Sequence, residues 1–510
     1  MVKLALTLGL SLASSANGAA SHLRRKRGRE HRVGPSENFK SGACVRDYDG
    51  TSDLFPSKSE SGMQFRSTVS SDYSLFWEVS YHGHYKILQN SNSGEVHVLH
   101  QCGVDAPAAE DLPDYAADAT FVQVPVSNVA TTSTTYIPFI EMIGERAALK
   151  AYGSSFDYVS SPCLRKMHRD GAVVSAYDSS TWSVSDEVLQ DANVEVTIAD
   201  SWSNSAYAAY TMTDIAEDSV LKVAEYVEVV GLFFNREAEA TAAIETMIAN
   251  YVCATDSAAA YLAELGGDAA KPKVCWTSYY AYASDASGGW TMAASPVWYS
   301  ELIEAAGGEL LMYDGDGDVV SSWGTAYMST DQVLELCADA DVIISPDVWT
   351  KSAEPFTLLD GLPAVVNGRV FDNQGPRGAT DWFERRVVEP DTVLQDILAA
   401  LYPESDEFGS LERKWLRDVE ADEAVGGVSD DDLDAACPDV TADYVFEAAT
   451  MCDSSSSSSS SSNSDIVLIV IVAAAILIAL VGAVFCAVVS RNSAPPPGAK
   501  VVEAKPETEA

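Results

Sequence analysis

The chain has 510 residues, 75 of them Asp or Glu against 32 Lys or Arg, for a net charge of -43, and 47% of it is hydrophobic. That length allows two or three domains with sizeable cores. The acidity argues against nucleic acid and anionic membrane surfaces as partners and suits a solvated surface in salty medium.

In chain order, Lys3, the apolar residues 4–12 and the small residues 16–20 read as a secretory signal over residues 1–20. Residues 21–40 contain Arg24-Arg25-Lys26-Arg27, either a propeptide cleavage site or an exposed basic linker. Residues 81–102 read as a hairpin. With a turn at 90–94 that pairs Leu88 with Glu95, His82, His84 and His97 share one face, which is either a structural hairpin surface or a set of imidazoles able to bind a transition metal or sense acid. The first is the reading adopted. Residues 121–126 read as a strand followed by the polar loop 127–135, and a helix then runs through Glu141 to a stop at Gly144. Residues 221–235 and 237–252 read as consecutive helices.

From 271 to 403 strand, loop and helix signals alternate as in a parallel α/β sheet. The strand 273–280 leads into a Ser/Gly-rich loop ending at Trp290, and the helix 296–306 is stopped by Gly307 and Gly308. Ser329 with Gln332 forms a capping box that opens a helix, and 341–345 reads as the next strand. Asn367-Gly368 between AVV and RVF is a two-residue hairpin signal, and apolar residues from Val393 to Leu401 keep helical spacing. Asp314, Asp316 and Asp318 make an acidic turn that lacks the glycine and terminal glutamate of a calcium loop. Residues 404–464 form an acidic connector and a stalk with nine consecutive serines, which cannot bury enough apolar surface to fold. Residues 466–489 are an uninterrupted apolar run of 24, long enough to span a bilayer. Arg491 and Lys500 follow, which places the tail 490–510 in the cytosol.

Eight cysteines precede the span, an even number that implies disulfides in an oxidising compartment. Their connectivity cannot be deduced from sequence, although Cys437 with Cys452 is the nearest pair. No Asn-x-Ser/Thr acceptor precedes the span.

Four ordered stretches, PKVCWTSYY, WYSELIEAAGGELL, STDQVLELCADADVII and AVVNGRVFDNQGPRGATDWFERRVVEPDTVLQDILAALYP, together resemble the C-terminal lobe of bacterial substrate-binding proteins for ferric siderophores and cobalamin. The likeness extends more weakly upstream to about residue 70. It implies an α/β fold of two lobes, each with a mainly parallel sheet flanked by helices, joined by a long helix: an N-terminal lobe at 41–220, connecting helices at 221–265 and a C-terminal lobe at 266–403. One C-terminal transmembrane helix is added here.

Ligands of open α/β sheets lie beyond the carboxyl ends of the strands. The loops after Val126, Tyr280 and Ser345 therefore nominate Ser127, Thr132, Tyr279, Tyr280 and Trp290, and the resemblance adds Trp323 and Arg377. Aromatic faces supply apolar area with polar tips, and arginine pairs with anionic oxygens. No nucleophile elbow, zinc-protease helix, phosphate loop or dinucleotide fingerprint is present, so no catalytic residue, protein-bound metal or permanent cofactor is expected. With the secretory signal and the 466–489 span placing the module outside the plasma membrane, the resemblance implies a receptor that captures a ferric siderophore and passes it to a permease or surface reductase. Cobalamin, haem or another metal chelate is the alternative cargo. An endomembrane location with a lumenal ectodomain is the alternative site, and a ligand-free adhesion or signalling protein is the competing class.

Overall fold

The computed structural model describes residues 44–51, 53–55, 68–70, 76–203, 207–217, 219–280, 289–315, 324–445 and 449. The expected signal segment, residues 21–40, serine stalk, 466–489 span and tail lie outside them, as does Trp323. Among the described residues no helix is long and apolar enough to cross a membrane. All of the described residues fall in one compact unit that ends at Met451.

The N-terminal half holds two sheets. Strands β1 (Thr68–Ser70), β2 (Trp77–His82), β3 (Tyr85–Asn90), β4 (Val96–Gln101) and β5 (Thr120–Val124) pair in that order, antiparallel until the parallel step from β4 to β5. The second sheet is parallel throughout, with β6 (Val129–Thr131), β7 (Leu149–Tyr152), β8 (Val174–Ser175), β11 (Val196–Ala199) and β12 (Ala209–Thr211) in the order β12-β11-β6-β7-β8. A small hairpin, β9 (Tyr177–Asp178) with β10 (Ser183–Val184), follows β8.

The hairpin register changes the histidine reading. His82 pairs with Tyr85, and Tyr85 with His100, whereas Leu88 pairs with His97. Side chains of a strand alternate between faces, so His97 lies on the opposite face from His82 and His100. It is buried edge-on against Tyr210, with Nε2 3.2 Å from the Ala209 carbonyl. Among the described residues no group of three His, Cys, Asp or Glu is arranged to hold a metal ion.

Three helices lead to the second half: Val220–Ala224, Tyr226–Phe234 and the 29-residue Glu237–Leu265. Every residue of Tyr226–Phe234 is buried, as a run apolar but for Glu228 demands, with Glu228 Oε1 accepting from Thr241 Oγ1 at 2.8 Å, and Asn235 ends it in the left-handed conformation at φ 55°. The buried Lys86 donates from Nζ to the Leu232 carbonyl at 2.8 Å and to Asn235 Oδ1 at 2.9 Å, and pairs with Glu237. One cation from β3 thus satisfies a carbonyl at the end of one helix and a carboxylate at the start of the next.

In the C-terminal half the apolar run 273–280 splits between two sheets. β13 (Lys273–Trp276) joins β16 (Glu309–Leu310), β18 (Val342–Ser345), β19 (Val370–Asp372) and β20 (Arg417–Asp418) in the order β16-β13-β18-β19-β20, parallel except for β20. β14 (Ser278–Tyr280), β15 (Gly289–Ala293) and β17 (Thr325–Met328) form an antiparallel sheet in the order β14-β15-β17. The capping box at Ser329 and Gln332 is present, and Gly307 stops the helix Trp298–Ala305 at φ 74°. The Asn367-Gly368 hairpin is not. Pro363–Val366 is a short helix, Gly368 takes φ 67° just beyond it, and β19 then runs parallel to β18. Proline at a helix start and glycine past its end outweigh the turn preference of Asn-Gly.

The acidic connector wraps back over both halves. Cys437 pairs with Cys163, 274 residues away, rather than with Cys452, and Arg146 Nη1 donates to the carbonyls of Val440 at 3.1 Å and Ala442 at 2.8 Å. Cys44–Cys102 and Cys275–Cys337 are the other described bridges, and Cys253 is also disulfide-bonded. One hydrophobic core runs from Val124 and Phe139 through Tyr251 to Trp276, Leu398 and Trp415, so the two halves share an interior. Replacing Cys163 and Cys437 by serine should lower unfolding stability by on the order of 4 kcal/mol, because the bridge closes a very long loop. Urea denaturation followed by circular dichroism checks this, and an unchanged midpoint contradicts it.

Candidate functional site

The carboxyl ends of the N-terminal parallel strands carry the groups best placed to meet a ligand. Thr132, after β6, donates from Oγ1 to Asp200 Oδ2 at 2.6 Å and accepts from the Asp200 amide at 2.9 Å, which ties the ends of β6 and β11 together. Asp200 Oδ1 in turn accepts from the Trp202 amide at 2.8 Å. Trp202 is 64% exposed, Tyr158 in the turn after β7 is 64% exposed, and Trp182 in the β9–β10 hairpin is 81% exposed. Three aromatic rings therefore stand in solvent on three loops at one end of one sheet. Leaving such rings unburied forgoes roughly 1.5–3 kcal/mol each, and their common placement on loops at the carboxyl ends of the strands makes that rim the candidate binding surface.

The residues nominated from sequence are distributed differently. Thr132 is at the expected strand end but buried and engaged by Asp200. Ser127 lies at the opposite end of the sheet. The strand 121–126 ends at Val124 in the first sheet, so Ser127 precedes β6, where Glu195 Oε2 accepts from its amide at 2.6 Å, from its hydroxyl at 3.0 Å and from the Asn128 amide at 2.8 Å. Trp290 is fully buried in β15 instead of closing a loop, with Nε1 donating to Thr330 Oγ1 at 3.2 Å and its ring against Trp349 and Phe356. Tyr279 packs edge-on to Trp290 at 5.5 Å, while Tyr280, 48% exposed, faces Tyr327 at 6.2 Å. Arg377 donates to Glu389 Oε2 at 2.5 Å and lies over the Trp415 ring at 4.6 Å, so it ties down its own surroundings. The structure does not gather these residues into one site. Tyr158, Trp182 and Trp202 were missed, although Trp182 in DSSTWSVSD and Trp202 in ADSWSNS carry the signal, tryptophan in a polar loop, that nominated Trp290 and Trp323.

Beneath the rim the halves meet in a buried polar seam. The Glu384 carboxylate accepts from the Ser160 amide at 2.7 Å and the Ser161 amide at 3.0 Å, just ahead of the helix Pro162–Arg169. Ser160 Oγ donates to Asp381 Oδ1 at 3.0 Å, and Ser161 Oγ to Glu141 Oε1 at 2.6 Å. Arg385 lies 3.3 Å from Asp381 and 3.7 Å from Glu141, and Arg146 pairs with Glu141 at 2.6 Å. Burial pushes the Glu384 carboxyl up to about 8 against the pull of Arg385, and pushes Asp214, which accepts from the Tyr136 hydroxyl at 3.0 Å, up to about 6. These groups hold the seam and offer no acid–base pair to a substrate.

No family model and no curated protein matches this sequence. Among solved structures, a periplasmic haem-binding protein from Pseudomonas aeruginosa is similar with a TM-score of 0.42 at 12% identity, covering 57% of this chain and 97% of that one. The periplasmic vitamin B12 binding protein of Vibrio cholerae gives a TM-score of 0.38 at 13% identity, covering 54% and 97%. A possible iron-binding, periplasmic solute-binding protein from Staphylococcus epidermidis gives 0.39 at 13%, covering 54% and 98%. Likeness at this level assigns no ligand and no residue.

A carboxyl whose folded pKa lies above its unfolded value favours folding through its protonated form, so that contribution is complete below about pH 4.5 and disappears as the pH rises through about 8. Wild-type protein should therefore lose melting temperature relative to Glu384→Gln between pH 5 and 9. Parallel pH profiles of the two proteins would contradict the assignment.

Proposed function

We propose that this protein is a non-catalytic surface receptor whose extracellular module reversibly binds a ferric siderophore. The observation that carries the reading is the set of exposed rings Tyr158, Trp182 and Trp202 at the carboxyl end of a parallel sheet. Flat apolar faces there suit an organic chelate, and Tyr280 is an exposed ring from the other half. Thr132 contributes through its hold on Asp200. The chelator satisfies the iron, so no protein ligand to the metal is required; haem and cobalamin are the alternative cargoes. The segments 1–20 and 466–489 support a plasma-membrane location with this module outside, from which cargo passes to a permease or reductase.

A second reading has its own support. Cys163–Cys437 and the Glu384 seam hold the halves together, as suits a fixed interaction module that kept the architecture and binds no small molecule.

Tryptophan fluorescence titration of the full-length protein with ferric hydroxamates, ferric catecholates, free iron(III), haem and cobalamin separates the two. Saturable quenching by a ferric chelate, weakened at least about tenfold in a Trp182→Ala/Trp202→Ala double variant, is the expected result, since losing two stacking faces costs more than 1.4 kcal/mol. No response to any member of the panel leaves the interaction module as the function.

A further inference from the structure

Trp182 combines two unfavourable conditions that no other ring of the rim combines. Its side chain is 81% exposed, and its backbone lies in the left-handed region at φ 55°. That region suits glycine and asparagine; for a bulky side chain it is an outlier that persists only where the surroundings impose it. Neither Tyr158 nor Trp202 adopts it. The turn that imposes it is pinned locally. Asp178 Oδ1 accepts from the Ser180 amide at 2.8 Å and from the Ser180 hydroxyl at 2.6 Å, and the hydroxyls of Thr181 and Ser183 bond at 2.7 Å. Ser183 then pairs with Asp178 to open β10. Hairpin loops that end on a left-handed residue ordinarily place glycine or asparagine there, and this one places tryptophan.

The hairpin is seated over the strand ends. The Ser185 amide donates to the Ala176 carbonyl at 2.7 Å, and the Ala176 amide to the Tyr152 carbonyl at 2.8 Å, which joins the base of the hairpin to β7. Val184, just beyond Trp182, packs against Gly153 and Thr132, which follow β7 and β6. A Cβ at position 153 would stand 3.1 Å from Val184 Cγ2 and 3.2 Å from Thr132 Cγ2. Glycine there is what lets the hairpin approach the strand ends this closely. No Lys, Arg or His lies between Arg169 and Lys222, so the hairpin and the Trp202 loop offer ring faces and no cation. The contact they can make is stacking on an organic surface.

We propose that Trp182 is the contact on which the affinity of the rim depends, stacking on the organic face of the chelate, and that Gly153 is the positioning residue that sets its hairpin over the strand ends. This role rests on the rim being the ligand surface. A ring held on a pinned turn meets a ligand without reordering, and the stability given up in the free protein is the counterpart of that preorganisation. With no contact to make, asparagine at position 182 would serve the turn better.

The test is calorimetric titration of the full-length protein and of its Trp182→Asn, Trp202→Asn and Gly153→Ala variants with a ferric trihydroxamate, a ferric tricatecholate, haem and cobalamin, with melting temperatures taken in their absence. For whichever probe saturates the wild type, Trp182→Asn should weaken binding at least about tenfold and raise the melting temperature by about 1–2 °C. Trp202→Asn should weaken binding less and leave the melting temperature unraised, because its backbone is not left-handed. Gly153→Ala should weaken binding with Trp182 still in place. A probe that binds wild type and Trp182→Asn equally overturns the role of Trp182 and leaves the receptor function standing, as does a melting temperature that fails to rise in Trp182→Asn. Saturation by none of the four probes overturns both.

Discussion

The structure turns on a single carboxylate. Glu384, from the C-terminal half, takes two consecutive backbone amides of the N-terminal half at 2.7 and 3.0 Å, which satisfy its carboxyl oxygens in an interior that disfavours its charge. Those amides belong to Ser160 and Ser161, and Ser161 is also the N-cap of Pro162–Arg169, accepting from the Leu164 amide at 3.3 Å. The contact therefore fixes the orientation of that helix. Cys163 follows within its first turn, so the disulfide to Cys437 and the return of the acidic connector depend on the same placement. Arg146 and Arg385 then neutralise Glu141 and Asp381 around it. Removing one member of such a network strands the others in a medium that penalises isolated charge, and so the seam acts as a unit.

A seam of this kind restricts how the two halves can serve a ligand. A shared apolar core, a covalent bridge and a charge network all cross the junction, so wide hinge opening must break several interactions at once. Binding energy spent on opening is lost to affinity, whereas a rim already exposed costs little reorganisation. Tyr158, Trp182 and Trp202 satisfy that condition because their backbones are anchored to strand ends, as the Asp200 bond to the Trp202 amide illustrates. Rings on short, tethered loops can meet a ligand without the core moving.

The order of elements was legible because it follows from local signals. The capping box at Ser329, the stop at Gly307 and the long helix from Glu237 depend on a few neighbouring residues, and they stand where those residues predict. What sequence could not supply was tertiary. A turn at Gly83-His84 puts His82 on β2 opposite Tyr85 and so on the far face from His97, and the break after Trp276 put Tyr279 and Trp290 in a second sheet whose interior Trp290 fills. Ser127 failed as a strand-end residue because the strand before it belongs to one sheet and the strand after it to another, so the loop lies at the amino edge. The bridge from Cys163 to Cys437 joins residues whose nearness is created by the seam and by no local pattern. Aromatic rim residues were legible in principle, since tryptophan in a polar loop is the same signal wherever it occurs.

Composition also bears on which charges carry meaning. With 75 acidic residues against 32 basic ones, an arginine chosen at random has carboxylates within easy reach, and pairing is its default condition. Arg377 illustrates this: a sequence-level argument makes it a partner for an anionic ligand, but Glu389 already occupies the fork and Trp415 its face. The informative arginine in such a chain is the exception that folding has set among apolar walls and aromatic rings with no carboxylate in contact. Arg386 stacks on Trp298 nine residues further on, while its neighbour Arg385 is ion-paired with Asp381 and Glu141. Direction on the helix, set by a periodicity of 3.6, separates the two fates. In a strongly acidic protein an arginine therefore says little about an anionic ligand until its carboxylate partners are known.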